Sequence, residues 1–141
     1  VARLETIAEV LMRLGVRHAF VVAGSDGLDE VTLSGPTQVA ESVNGTVRRY
    51  EITPEQFGLV RAPKEALLGG DPASNAAILR EVLEGKAGPR RDVVVLNAAL
   101  AIVAGQGAET TEEGVRRAVE SLDSGAALNT LEQLVRMSHD S

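Results

Sequence analysis

Three carboxylates in one short, glycine-containing segment are the side chains of this sequence best suited to chemistry. Asp26, Asp29 and Glu30 lie within residues 24–30. Adjacent carboxylates favour a hard cation such as Mg²⁺, which takes oxygen ligands, keeps several waters and works with substrate phosphates. Loops favour Asp and Gly in any case. The spacing alone is therefore also typical of a solvated acidic turn.

A second glycine pair precedes an aspartate at the predicted start of a helix. Gly69 and Gly70 are followed by Asp71 and Pro72, and backbone N–H groups at a helix N-terminus can bind phosphate. The same residues also make a turn, an N-cap and a first helical position without any ligand. We interpret this segment as structural.

The remaining polar residues predict no catalytic group. The two histidines, His18 and His139, have neither metal-ligand spacing nor a nucleophile to pair with, and we expect them to be structural or solvated. Cysteine is absent, which excludes disulfides, thiolate metal sites and a cysteine nucleophile. Asn97 lies in an apolar run, where its amide needs partners. We predict a helix–helix hydrogen bond for it.

The predicted elements around the acidic segment alternate between helix and strand, which is typical of an α/β domain. Apolar spacing predicts a helix over 4–14, followed by a strand over 17–23 that is apolar almost throughout and so buried on both faces. The acidic segment then lies at the carboxyl end of a strand, where α/β folds place ligands. Asn44 and Gly45 predict a hairpin turn between strands 38–43 and 46–52.

The second half of the sequence predicts helices. Thr53 and Pro54 begin a helix of about one turn, and Pro72 begins a longer one that ends at Gly85. Residues 88–91 are interpreted as a linker, after which Asp92 caps a fully buried helix over 93–104. Amphipathic helices are predicted over 111–122 and 126–137.

Composition limits the function classes. The chain has 141 residues, a net charge of −6 and 2% aromatic residues, which argues against a nucleic-acid binder. Its longest apolar run falls short of the roughly 20 residues that cross a bilayer. We expect a single α/β domain over residues 1–141, in the cytoplasm, without membrane or nucleic-acid contacts.

Five motifs in order across almost the whole chain resemble the C-terminal portion of anthranilate phosphoribosyltransferases. They are VVAGSDGLDEV at 21–31, TPEQFGL at 53–59, LGGD at 68–71 with Asn75-Ala76, LNAA at 96–99 and DSGAA at 123–127. The resemblance implies the C-terminal part of the larger α/β domain of a two-domain enzyme of the anthranilate phosphoribosyltransferase / nucleoside phosphorylase type. Such enzymes are usually homodimers.

The resemblance also implies an activity and a metal site. The activity is transfer of phosphoribose from phosphoribosyl diphosphate (PRPP) to the amine of anthranilate, which gives N-(5-phosphoribosyl)anthranilate and diphosphate in tryptophan biosynthesis. Asp29 and Glu30 of the DGLDE motif would hold Mg²⁺ on the diphosphate, whereas Asp26 would shape the turn. The chemistry agrees, because the leaving diphosphate needs charge neutralisation.

Several family motifs have no counterpart in this sequence. The glycine loop GTGGD is absent, since 68–71 is a different position, and so are the KHGNR-like loop and the segment with the anthranilate-binding arginine. Those parts, with the helical N-terminal domain, would lie upstream of Val1, so we expect this chain alone to be inactive and to hold no catalytic residue. The alternatives are a pyrimidine nucleoside phosphorylase, which DGLDE fits less well, and a non-catalytic packing domain.

Overall fold

Helices and one small sheet make up the computed structural model, which describes residues 3–139. The helices are α1 (Leu4–Arg13), α2 (Pro72–Leu83), α3 (Pro89–Ala104), α4 (Thr111–Asp123) and α5 (Ala126–His139), and the strands are β1 (His18–Gly24), β2 (Thr37–Val43) and β3 (Thr46–Ile52). Short 3₁₀ turns lie at Pro54–Phe57 and Lys64–Leu67. The mixed content of helix and sheet confirms the α/β class.

The sheet is antiparallel, with the strands in the order β1-β2-β3. Gly24 lies opposite Thr37 at one end of the β1–β2 pair, and His18 lies opposite Val43 at the other. The predicted hairpin joins β2 to β3, with Asn44 and Gly45 at φ 51° and 75°. Positive φ at both residues is what a tight hairpin turn requires.

Strand β1 is less buried than predicted. Alternate residues do pack on both faces, Phe20 and Val22 on one side and Val21 and Ala23 on the other. Only Ala19 of the strand is buried, however, and the rest are half-buried. The prediction of full burial assumed neighbours on both edges, as in a parallel sheet. In this antiparallel sheet β1 pairs with β2 alone among residues 3–139.

Helices α1 and α3 take opposite faces of the sheet. Leu4 and Ala8 of α1 pack against Ala40 of β2, whereas Leu96 and Leu100 of α3 join the larger core cluster of the other face. Helix α4 then covers α3. Helix α3 therefore packs against β1, the strand that leads into the acidic segment.

Helix α3 begins earlier than predicted. Pro89 is its first residue and Gly88, at φ 135°, precedes it, so residues 88–91 are not a linker and Asp92 lies inside the first turn rather than at the cap. Proline at the first helical position explains the difference, because its missing N–H is not needed there and its φ suits a helix. The helix is also not fully buried, since Val94 is exposed.

Among residues 3–139, no helix combines the length and the apolar character needed to cross a membrane.

Candidate functional site

The acidic loop, residues 25–36, leaves β1 through a tight turn. The Gly24 N–H donates to the Leu28 carbonyl oxygen at 2.8 Å, and the Gly27 N–H donates to the Gly24 carbonyl oxygen at 3.1 Å. Gly27 has φ +87°, a conformation that favours glycine. A Cβ on Gly24 would lie 2.6 Å from Oδ1 of Asp26. Gly27 is therefore favoured by the backbone conformation, and Gly24 by the close approach of the Asp26 and Thr32 side chains.

Asp26 holds this turn together. Its Oδ1 accepts from the Leu28 N–H at 3.2 Å, and its Oδ2 accepts from the Thr32 hydroxyl at 2.6 Å. Partial burial opposes the charged form, but the hydrogen bonds from Thr32 and Leu28 outweigh it and keep the pKa of Asp26 below its usual value. Each of its oxygens accepts a hydrogen bond within the loop, in agreement with the predicted turn-shaping role.

The second half of the loop is anchored in the core. Val31, Thr32 and Leu33 are buried, and the Thr32 N–H donates to the Thr37 hydroxyl at 3.1 Å. Backbone bonds tie the loop to itself and to its surroundings, from the Ser25 N–H to the Pro36 carbonyl and from the Ala62 N–H to the Leu33 carbonyl. This half of the loop therefore has a fixed course.

Asn97 of α3 also reaches the loop. Its Oδ1 accepts from the Val31 N–H at 2.9 Å, and its Nδ2 donates to the Val31 carbonyl at 3.0 Å and to the Val93 carbonyl at 2.9 Å. The predicted helix–helix hydrogen bond is wrong. The Asn97 amide instead bonds the backbone N–H and carbonyl of Val31, which lies in a loop and, among residues 3–139, has no neighbouring strand to pair with. The sequence analysis was right that this amide needs hydrogen-bond partners, because it is a lone polar side chain in an apolar run.

Asp29 and Glu30 lie between these two anchors. Both are exposed, and within residues 3–139 no hydrogen bond or ion pair engages either carboxylate. Neighbouring carboxylates without a cationic partner repel each other, and a divalent cation relieves that repulsion.

The donor set fits Mg²⁺ shared with a substrate. The described part of the chain holds no group of three or more metal-ligating side chains, so it offers no closed, all-protein cage. Mg²⁺ seldom uses such a cage, because it retains waters and binds through one or two carboxylates together with substrate phosphates. Asp29 and Glu30 supply that number of carboxylates on a fixed loop.

The Asp71 cap predicted for the second turn is confirmed. Asp71 caps α2, with Oδ1 accepting from the Ser74 N–H at 2.7 Å, and this bond lowers the pKa of Asp71. Asn75 accepts from the Gly70 N–H at 2.8 Å and donates to the Gly70 carbonyl at 3.1 Å. Within residues 3–139 no hydrogen bond joins this turn to the acidic loop.

A buried polar cluster at the other end of the sheet is absent from the sequence predictions. Glu41 of β2 has a side chain only 4% exposed. It accepts from Arg48 and from the Tyr50 hydroxyl at 2.8 Å each, and Nε2 of His18 lies 2.8 Å from its Oε1. His18 is therefore structural. One feature of the sequence could have indicated this cluster. Glu41 lies on the same face of β2 as Val39 and Val43, so the alternation of the strand places a charge among apolar residues.

Burial and hydrogen bonding have opposite effects on the pKa of Glu41. Burial disfavours the Glu41 carboxylate, but hydrogen bonds from Arg48, Tyr50 and His18 prevail and lower the pKa of Glu41. Burial and the bond to Glu41 raise the pKa of Tyr50. The cluster satisfies a buried charge, and it lies at the end of β1 away from the acidic loop.

Comparison with known proteins gives one consistent answer. The family model described as "Glycosyl transferase family, a/b domain" matches residues 2–128. A relative named anthranilate phosphoribosyltransferase, from Citrifermentans bemidjiense, is 50% identical over 137 residues, which are 97% of this chain and 39% of the relative. The chain thus spans about two fifths of the length of such relatives.

Solved structures agree with the sequence comparison. The anthranilate phosphoribosyltransferase of Thermus thermophilus superimposes with a TM-score of 0.87 at 43% identity, over 96% of this chain and 40% of its own. The Saccharomyces cerevisiae enzyme in complex with 4-fluoroanthranilate gives 0.82 at 30% identity, over 93% of this chain and 38% of its own.

The yeast enzyme in complex with PRPP and Mg gives a TM-score of 0.71 at 34% identity, over 80% of this chain and 33% of its own. The fold class expected from the motifs is confirmed by these superpositions. By its sequence match and its fold, the chain belongs to the glycosyl transferase family and forms part of that family's α/β domain.

Proposed function

We propose that the protein carrying this chain transfers phosphoribose from PRPP to the amine of anthranilate, in a Mg²⁺-dependent reaction that releases diphosphate. The observation that carries the proposal is the exposed Asp29–Glu30 pair, unpaired within residues 3–139 on a loop that is otherwise fixed. The names of the relatives, and the yeast complex with PRPP and Mg, support it.

In this proposal Asp29 and Glu30 hold the ion. When bound, Mg²⁺ neutralises negative charge on the diphosphate as the bond to the ribose breaks. Asp26 is assigned to shaping the turn, since its two oxygens accept from Leu28 and Thr32. No other residue of this chain is assigned a role in the chemistry. The groups that bind the phosphates and anthranilate belong, in this proposal, to the remaining three fifths of the protein.

The proposal extends to organisation and setting. We place residues 1–141 within a single α/β domain whose remainder, with a helical N-terminal domain, completes the substrate pocket, and we expect the complete protein to act as a homodimer. A cytoplasmic location is supported by the absence of cysteine from the chain. The net charge of −6 supports a small-molecule role rather than nucleic-acid binding.

The test is an assay of the full-length protein that carries this chain. Anthranilate fluorescence should fall in the presence of PRPP and Mg²⁺, with N-(5-phosphoribosyl)anthranilate identified by mass spectrometry, and EDTA should stop the reaction. Phosphorolysis of pyrimidine nucleosides without any transfer to anthranilate would identify a nucleoside phosphorylase instead. If neither reaction occurs, the non-catalytic packing domain is the better description.

A further inference from the structure

One side chain of helix α3 bonds both backbone groups of the residue that follows the acidic pair. Oδ1 of Asn97 accepts from the Val31 N–H at 2.9 Å, and Nδ2 donates to the Val31 carbonyl at 3.0 Å. This is the pairing that a neighbouring β-strand would offer to Val31. Here an amide side chain from 66 positions along the chain supplies it.

The first of these bonds acts directly on Glu30. The Val31 N–H belongs to the peptide bond that joins Glu30 to Val31, and a peptide unit is planar. Fixing the direction of that N–H therefore fixes the plane that contains the Glu30 carbonyl carbon and Cα. The Val31 side chain, 2% exposed in the main core, holds the other end of the unit.

The Asn97 amide is itself fixed in orientation. Its Nδ2 also donates to the Val93 carbonyl of its own helix at 2.9 Å. With its oxygen facing one N–H and its nitrogen facing two carbonyls, the amide satisfies these partners in only one of its two flipped orientations. A rigid helix thus presents a side chain of defined geometry to the loop.

The other hydrogen bonds of the loop involve neither the Val31 N–H nor the Val31 carbonyl among the described residues. The Asp26 carboxylate accepts from the Thr32 hydroxyl and from the Leu28 N–H, so these contacts shape the loop from within. The Ala62 N–H reaches Leu33, three residues beyond Glu30. Among the described residues, Asn97 is the hydrogen-bonding contact from a helix to the residue adjacent to the acidic pair.

We propose that Asn97 is a positioning residue, which holds the Asp29–Glu30 pair in the geometry that binds Mg²⁺ and diphosphate. This inference rests on the proposed function, because it takes the pair to be the metal site. Groups that orient metal ligands commonly affect affinity or activity by about 10- to 100-fold when they are removed.

The experiment compares two asparagines in the full-length protein. Asn97→Ala removes the bonds to Val31, and Asn75→Ala removes the equivalent pair of bonds to Gly70 in the α2 turn. For Asn97→Ala we expect the Mg²⁺ concentration at half-maximal rate to rise by about tenfold or more. Affinity for diphosphate with Mg²⁺, measured by calorimetry, should fall by a similar factor. Amide exchange of the peptide covering 28–33 should accelerate.

Asn75→Ala is expected to change stability only, with both Mg²⁺ readouts within twofold of wild type. Asn97→Gln keeps both the acceptor and the donors on a longer side chain, so it should fold where alanine does not and give intermediate values. Wild-type Mg²⁺ dependence and diphosphate affinity in a folded Asn97 variant would overturn the inference. Wild-type Mg²⁺ dependence in Asp29→Asn and Glu30→Gln would instead overturn the proposed metal site, so the two failures are distinguishable.

Discussion

Carboxylates a few residues apart in the acidic loop have different surroundings, and this difference decides what each can do. Asp26 accepts two hydrogen bonds, and its pKa is lowered despite partial burial, by Thr32 and Leu28. Asp29 and Glu30 are exposed and, within residues 3–139, accept none. Both Asp26 oxygens are oriented by donors of the loop, whereas the Asp29 and Glu30 oxygens have, within residues 3–139, no donor that fixes them.

The first prediction concerns the full-length protein and follows from the proposed function. Asp29→Asn and Glu30→Gln should leave the unfolding temperature close to wild type, because exposed loop side chains contribute little to stability. Each should lower kcat/KM for PRPP by about 100-fold, as expected from the loss of a metal contact worth several kcal/mol. Steady-state kinetics over a Mg²⁺ titration, with thermal unfolding alongside, measures both effects.

Asp26→Asn is the matched comparison. It should have the milder effect on Mg²⁺ dependence and the larger effect on stability, since its hydrogen bonds shape the turn. If Asp26→Asn abolishes the Mg²⁺ response while the Asp29 and Glu30 variants keep it, the ligands have been assigned to the wrong carboxylates.

The Asp71 cap gives a second prediction at this scale. Asp71→Ala removes the acceptor of the Ser74 N–H and should lower the free energy of unfolding by about 1 kcal/mol. Affinity for Mg²⁺ and diphosphate should be unchanged, because the cap belongs to a turn that makes, within the described residues 3–139, no hydrogen bond to the acidic loop. Denaturant unfolding and calorimetry test the pair of expectations. A large loss of affinity at unchanged stability would show that the turn is a ligand loop.

At the scale of the elements, the sheet contains a buried charge with a defined pH dependence. The pKa of Glu41 lies below its ordinary value of 4.5, so its ionised form stabilises the folded state. That contribution is complete above the unfolded-state pKa and is lost as the pH falls through the lowered folded-state pKa. Glu41→Gln should therefore be less stable than wild type at pH 7, and the difference should shrink below about pH 4.

Urea unfolding of wild type and Glu41→Gln from pH 3 to pH 7 measures this difference. Arg48→Ala is a useful companion, because it removes one donor to Glu41 and leaves Tyr50 and His18 in place. A difference between wild type and Glu41→Gln that grows on acidification would contradict the assigned sign.

The contact between α3 and α4 depends on one glycine. A Cβ on Gly114 would lie 2.6 Å from the Ala99 carbonyl oxygen and 3.1 Å from its Cα, both backbone atoms that cannot rotate away. Gly114→Ala should therefore separate the helices and cost about 1–3 kcal/mol, as overpacking does in cores. Arg116→Ala, on the exposed side of α4, should change the unfolding free energy by less than about 0.5 kcal/mol.

Local signals predicted most of these elements, and tertiary contacts account for the errors. Asn44-Gly45 and the Asp71 cap are determined by neighbouring residues, and the structure confirms both. The partners of Asn97 and Glu41 lie far away in sequence or across strands, so no local pattern identifies them. The incomplete burial of β1 is also a tertiary property, because it depends on which strands pair with its edges.

At the scale of the whole molecule, the proposed function makes the acidic loop one part of a larger site. The loop is held by α3, and its two exposed carboxylates are unpaired among residues 3–139. The chain spans about two fifths of the length of the relatives that it matches. Recognition of anthranilate and of the ribose phosphate, in the proposed reaction, needs groups outside this span. The motifs at 21–31 and 96–99, two of the five that carry the family resemblance, contain the acidic pair and its helical support.

The last prediction concerns the isolated chain. Purified 141-residue protein, supplied with PRPP, anthranilate and Mg²⁺, should form no N-(5-phosphoribosyl)anthranilate above the uncatalysed background. Holding two reactants in the right geometry contributes about 7–11 kcal/mol in such reactions, and a loop with two carboxylates positions only the diphosphate end of one of them. Product formation is measured by mass spectrometry beside the full-length protein at equal molarity, after circular dichroism has established that the chain is folded. Turnover by the folded chain at a rate comparable with the full-length protein would mean that the complete site lies within residues 1–141.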